Sequence, residues 1–416
     1  MIMLYIDPGT GSMLFALLIG VVSTVTFALR SLIISLKFHL SGGKADKNAL
    51  SDSGTPFVIF SDQKHYANTF RPILREFEKR KLHAVYWTAS NEDPLLHEEF
   101  EYVECAFIGE GNAAFVKLNL MKADVCLATT PDLDVTQWKR SRDVAYYVFL
   151  MHNIDSALMY RMFGLDYYDA LLLSGPVQEE EIRTLEKQRD LPPKELMITG
   201  CAYLDALYER ALKEGISESH GKTCVLLAPS WGESSLLRIY GERLLQLLAD
   251  TGFDLIIRPH PQSVIVEKEL LDSLQKKFPE SDRISWDLSP DNFASLRRSD
   301  IMISDFSGVM FDYALVFDKP FLYTEDVFDP SVFDAAWSEK PLWKYEILPH
   351  MGKVLKESDF PNLKSILQDC ILSSEFAEGR KRAKEDAWQQ IGNCASLTVD
   401  FLVEKQKAVS VAGGAL

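Results

Sequence analysis

The 416-residue chain predicts an α/β protein with two Rossmann-like domains facing across a cleft. Three observations carry that reading. Apolar runs of about four to seven residues alternate with helical stretches of about 10–18, the grammar of parallel strands covered on both faces. The alternation occurs twice, with a break near residues 200–222. The length leaves room for two domains of roughly 100–200 residues each.

In order, the first set of strands is PFVIF (56–60), HAVYW (83–87), ECAFI (104–108), DVCLAT (124–129), AYYVFLM (145–151), ALLLSG (170–175) and ELMITG (195–200). Helices are predicted between them near Arg71–Lys81, Ala113–Met121, Ile154–Phe163 and Val177–Gln188. The second set is CVLLAPS (224–230), DLIIRPHP (254–261), RISW (283–286), DIMISDF (300–306) and PFLY (320–323). Its helices are expected over Ser234–Ala249, Val264–Phe278 and from Ser307 onward, with further helices between Pro361 and Lys405.

Ahead of this body, Met13–Leu29 is free of charge, and the uncharged run reaches back to Pro8. That approaches the length of about 20 residues that spans a hydrocarbon core. No Lys or Arg precedes the run, whereas Arg30, Lys37, Lys44 and Lys47 follow it. A cleaved secretory signal needs the opposite arrangement, and cations on that flank hold it in the cytoplasm. A single transmembrane helix at the cell membrane is expected, with the large body in the cytoplasm. The divisions expected are 1–41 for the anchor, 42–54 for a polar linker, 55–205 and 206–375 for the two domains, and 376–416 for C-terminal helices and tail.

Lys and Arg number 44 against 60 Asp and Glu, a net charge of −16. That balance excludes a general nucleic-acid binder, which shows a basic face. Residues 1–50 carry +2 and the remainder −18. The cationic end therefore suits an anionic membrane surface. Six cysteines are scattered without a CxxC pair, so reduced thiols are expected and a structural zinc site is not. No P-loop, HExxH, GxSxG or DxD pattern appears, and neither a resident cofactor nor a metal site is expected.

Ligands of open α/β sheets bind at the carboxyl ends of strands. At one such tip, Arg258-Pro259-His260-Pro261 holds a guanidinium and an imidazole on proline-stiffened backbone, a pair suited to a diphosphate. At another, Ser304-Asp305 precedes the turn Ser307-Gly308 and a helix start, whose unpaired N–H groups and dipole favour an anion. Asp305 or Ser307 equally suits a plain helix cap. Asp312, early in that helix, can accept from a ribose or glycerol hydroxyl or stand in solvent. His152 follows AYYVFLM and can act as a base. A rival motif, Gly109-Glu110-Gly111-Asn112-Ala113-Ala114, fits the dinucleotide fingerprint but sits outside the first βαβ unit.

Taken in order, these residues resemble the CDP-glycerol glycerophosphotransferase family of teichoic-acid primases and polymerases. TGCAYLD (199–205) resembles the family's glycine-to-aspartate junction, and LLAPSWG (226–232) its APTWR segment. RPHP (258–261) matches as it stands, and SDFSGVMFDYALVFDKP (304–320) resembles SDYSS with the helix and KP that follow. The resemblance implies a GT-B fold, with the acceptor on the first domain and the donor nucleotide on the second. It implies transfer of glycerol phosphate from a CDP-linked donor to a lipid-linked acceptor at the membrane. Arg258, His260, Ser304, Asp305, Ser307 and Gly308 would then hold the donor phosphates, and Ser230 and Asp312 the nucleotide or glycerol. His152 would be the catalytic base, with His260 as its catalytic partner. Asn153-Ile154-Asp155 replaces the family's GTP, Gly232 its arginine, and Gly308 its second serine. A nucleotide-sugar GT-B glycosyltransferase and an inactive nucleotide-binding relative therefore stay open as alternatives.

Overall fold

The computed structural model describes residues 55–217, 221–325 and 329–413. The first sheet contains seven parallel strands: β1 (Thr55–Ser61), β2 (Ala84–Thr88), β3 (Val103–Phe107), β4 (Ala123–Ala128), β5 (Val144–Leu150), β6 (Ala170–Leu173) and β7 (Glu195–Ile198). Their spatial order is β3-β2-β1-β4-β5-β6-β7. The second sheet contains β8 (Cys224–Leu227), β9 (Asp254–Ile257), β10 (Ile284–Trp286), β11 (Ile301–Ser304), β12 (Phe321–Tyr323) and β13 (Lys353–Val354), in the order β10-β9-β8-β11-β12-β13. Both orders reverse beside their first strand, between β1 and β4 and between β8 and β11. Those reversals are the topological switch points at which α/β sheets take ligands.

Period-two alternation builds each core. On β1, Phe57 and Ile59 face one way and pack with Phe70 and Phe77 of the helix Ala67–Lys79. Val58 and Phe60 face the other way, against Leu118, Trp138 and Ile182. Val399, Phe401 and Leu402 of the last helix, Cys394–Gly413, also join the first sheet's core. The chain thus returns to its first lobe after completing the second. Asp205 ties that return, accepting from the Trp388 indole N–H at 3.0 Å and from the Cys394 backbone N–H at 3.0 Å.

Several expectations change. Ile154–Phe163 holds only a short 3₁₀ turn at Ala157–Met159, because its backbone bonds instead to a segment that follows β12. Met162 N–H donates to Val332 O at 3.1 Å, Asp334 N–H donates to Tyr160 O at 3.0 Å, and Arg161 bridges Phe333. The stretches Ser234–Ala249 and Val264–Phe278 are each two helices, Leu236–Ile239 with Gly241–Asp250 and Pro261–Val266 with Lys268–Lys277. The short edge strand β13 carries too little pattern to be read in advance. The expected anchor and linker lie outside the described residues. Among the described residues no helix is long and apolar enough to cross a membrane.

Gly200 occupies φ +95°, and a Cβ there would stand 2.6 Å from Gln389 O. Gly200→Ala is expected to cost about 2–4 kcal/mol, combining backbone strain with overpacking, as read by chemical denaturation.

Candidate functional site

The carboxyl ends of β1, β4 and β5 bring three side chains together. His152 lies two residues beyond β5, and Thr129 follows β4. The Thr129 hydroxyl donates to Leu150 O at 2.9 Å and stands 2.8 Å from His152 Nδ1. A hydroxyl has one proton, so with that proton on Leu150 O the Thr129 oxygen favours a protonated Nδ1; the Tyr160 hydroxyl also stands 3.4 Å from this nitrogen. Nε2 is then the basic nitrogen, with the Asn153 side-chain amide 3.2 Å away. Tyr66 meets the ring edge-on, with centroids 4.7 Å apart. Burial, reinforced by the nearby His65, holds the His152 pKa down to about 4, so the ring is neutral near pH 7.

His260 is assembled differently. It caps the helix Pro261–Val266, with Nδ1 accepting the Gln262 N–H at 3.1 Å. Because Nδ1 is an acceptor, the neutral ring carries its proton on Nε2 and offers a donor there. Burial again lowers its pKa, and His65 contributes in the same direction. The Trp231 indole, 45% exposed, lies 6.5 Å away by ring centroids.

His65 is the residue that sequence reasoning missed. It sits on the 3₁₀ turn Lys64–Tyr66 directly after β1, with its ring 3.9 Å from that of Tyr66. A charge on it would disfavour protonation of both His152 and His260, and its own pKa is lowered, chiefly by burial. Histidines from both lobes therefore share one electrostatic neighbourhood. The signal for it was a histidine close behind the first strand, the same strand-tip rule that found the other two.

Other expected phosphate ligands are committed to the protein. Arg258 is buried, donating through Nη1 to Asp287 at 2.6 Å and through Nη2 to Ser289 O at 2.8 Å. Its guanidinium ties the tip of β9 to the loop after β10, instead of standing free for a diphosphate. Ser304 Oγ donates to Ala228 O at 2.6 Å. The buried Asp305 carboxylate accepts from Ser230 N–H at 2.8 Å and Leu236 N–H at 3.0 Å. An anion held so tightly would repel a phosphate, so Asp305 positions the loop that carries Ser230 and Trp231.

Ser307 and Gly308 remain at the start of the helix Val309–Phe317, and nothing lies within 4 Å of where a Gly308 Cβ would be. That helix start has room for an anion, but its Ser307 N–H is already bonded to the Asp305 carboxylate. Asp312 is half-buried and accepts from the Tyr203 hydroxyl at 3.0 Å. Burial raises its pKa to about 7. The rival glycine motif lies after β3, an edge strand remote from the switch point. Among the described residues no cluster of three or more His, Cys, Asp or Glu side chains is arranged to hold a metal ion.

Asp305→Ala removes the acceptor for the Ser230 and Leu236 N–H groups. Buried unpaired donors are expensive, so an unfolding free-energy loss of about 2–4 kcal/mol is expected by urea denaturation.

Solved structures share this architecture. The UDP-GlcNAc 2-epimerase from Neisseria meningitidis bound to UDP-GlcNAc is 14% identical, with 84% of this chain and 100% of that one covered at a TM-score of 0.52. The S. aureus MnaA–UDP structure is 14% identical, with 83% and 95% covered and a TM-score of 0.53. The Methanocaldococcus jannaschii UDP-GlcNAc 2-epimerase with UDP-GlcNAc and UDP is 10% identical, with 84% and 100% covered and a TM-score of 0.51. At such identities the likeness shows the fold alone, two facing parallel α/β sheets of GT-B type. No curated protein sequence matches the chain. His260 and the Ser304–Asp312 segment fall within a more specific match, whereas His152 and His65 precede it. Residues 165–329 match the family model of CDP-Glycerol:Poly(glycerophosphate) glycerophosphotransferase, which bears out the resemblance read from the strand tips.

Proposed function

We propose that the chain is a membrane-associated transferase that moves glycerol phosphate, or a related polyol phosphate, from a CDP-linked donor to a lipid-linked acceptor. The observation that carries this reading is the contrast between the Nδ1 partners of the two histidines, a hydroxyl oxygen for His152 and a backbone N–H for His260, which favours opposite tautomers. His152 offers an acceptor nitrogen and His260 a donor N–H. Phosphoryl transfer needs both, a base for the incoming hydroxyl and a donor for charge on the phosphoryl oxygens. The match to the glycerophosphotransferase family supports the substrate class.

In the reaction proposed, an acceptor hydroxyl attacks the β-phosphorus of the donor. A bond forms between that oxygen and phosphorus, and the bond from phosphorus to the bridging oxygen breaks, releasing CMP. His152 Nε2 takes the hydroxyl proton once the acceptor displaces the Asn153 amide. His260 Nε2–H and the helix start at Ser307–Gly308 stabilise charge on the transferring and leaving groups. Arg258 and Asp305 act through the loops that they hold. Ser230 and Asp312 stay assigned to the nucleotide or glycerol.

Turnover of CDP-glycerol with a lipid-linked acceptor, followed as CMP release, tests the reading. His152→Ala and His260→Ala are each expected to lower kcat by about 10²–10³, the usual loss for one preorganised donor or base. Near-normal turnover by both variants contradicts the assignment. Release of a nucleoside diphosphate from a sugar donor would favour a glycosyltransferase instead.

The pH dependence has a definite sign. His152 works as the neutral base, so kcat/KM falls as pH drops through its lowered pKa of about 4. A limb near 6.5, the ordinary imidazole value, would contradict the buried environment.

A further inference from the structure

Lys344 opens the helix Trp343–Met351 and is almost wholly buried, its side chain 4% exposed. Its Nζ donates to Phe306 O at 2.8 Å, one residue before Ser307. The same nitrogen stands 3.6 Å from Asp155 Oδ2, three residues beyond His152. One ammonium thus joins the loop bearing the proposed base to the loop bearing the proposed phosphate site. Asp155 is one of the residues that replace the family's GTP.

Both ends of the link are themselves fixed. Asp155 Oδ1 accepts the Ser156 N–H at 2.9 Å, and its carbonyl accepts from Gln178 Nε2 at 2.8 Å. The same amide reaches Asn153 O at 3.2 Å. On the other side, Trp343 stacks on Phe311 of the helix that begins at Val309, with ring centroids 5.6 Å apart. The approach to Lys344 is also anchored on the first lobe. Asp334 pairs with Arg189, which bonds Asp166 at 2.8 Å. Ala335 and Leu342 pack against Leu158 and Leu185.

Burying an ammonium is costly unless its partners are well placed. Apolar packing alone would hold the helix at lower cost. We infer that Lys344 is a positioning residue that locks Asn153–Asp155 to Phe306–Gly308 and so sets the spacing between base and phosphate site. Through it the replaced GTP segment regains a fixed geometry by an ion pair. The inference rests on the proposed transfer reaction for its catalytic consequence, but the link itself is independent of that reaction.

The test uses the full chain with Lys344→Met, Lys344→Arg and Asp155→Asn, and reads hydrogen exchange and kinetics together. Lys344→Met is expected to speed amide exchange at least tenfold in both 153–157 and 306–308 while the two sheets keep their protection. It is expected to lower kcat by about 10²-fold, the scale of a small misplacement of reacting groups, with donor KM within about threefold. Lys344→Arg, which keeps the charge and donors, is expected to recover most of kcat. Unchanged exchange, or faster exchange in one loop alone, overturns the inference. So does a loss of turnover that simply follows loss of folded protein. Should Lys344→Met fail to fold, Asp155→Asn reads the same link from its other end, and unchanged exchange at 306–308 is the overturning result. If the wild type transfers nothing from a CDP donor, the reaction assignment fails while the exchange result still decides the link.

Discussion

A neutral imidazole carries its single ring proton on one nitrogen, and the chemistry of this cleft depends on which nitrogen that is. For His152 the Thr129 hydroxyl favours a protonated Nδ1, because its own proton goes to Leu150 O. The Gln262 backbone N–H settles it for His260. Each is placed by secondary structure: Thr129 by the neighbouring strand β4, and Gln262 by the first turn of a proline-started helix. Burial then keeps both rings neutral, which makes the placement of one proton decisive.

The sheets were largely legible because buried parallel strands write themselves as apolar runs bounded by turns. The predicted strands of both sets recur with small shifts at their ends, and β13 is the addition. The candidate site residues were legible as strand tips, since Pro259 and Pro261 mark the position of His260 and the end of AYYVFLM that of His152. What the residues could not reveal is partnership across the fold. Arg258 reads as a free cation in sequence, but its partner Asp287 lies on the next strand's loop. Asp305 reads as a site carboxylate, but it accepts from the backbone N–H groups of Ser230, Leu236, Phe306 and Ser307. Ile154–Phe163 reads as helical until the residues around Asp334 take up its backbone bonds. In each case long-range pairing overrode a local pattern.

The family match covers residues 165–329, so it includes the strand tips that carry His260 and Ser304 and leaves His152 and His65 outside it. That division agrees with how the cleft is made. The second lobe supplies His260, the open helix start and the loop that Asp305 holds. The first lobe supplies His152 and His65, and Lys344 returns across the cleft to join the two. Net charge says little about such a site. On the proposed reading, a chain at −16 meets its anionic donor with imidazoles and helix N–H groups.

The ring proton positions of His152 and His260 are the most direct test, read by nitrogen-15 NMR on histidine-labelled protein near pH 7. The account predicts a protonated Nδ1 and bare Nε2 on His152, with a bare Nδ1 and protonated Nε2 on His260. The same tautomer on both rings, or the reverse pair, would contradict it.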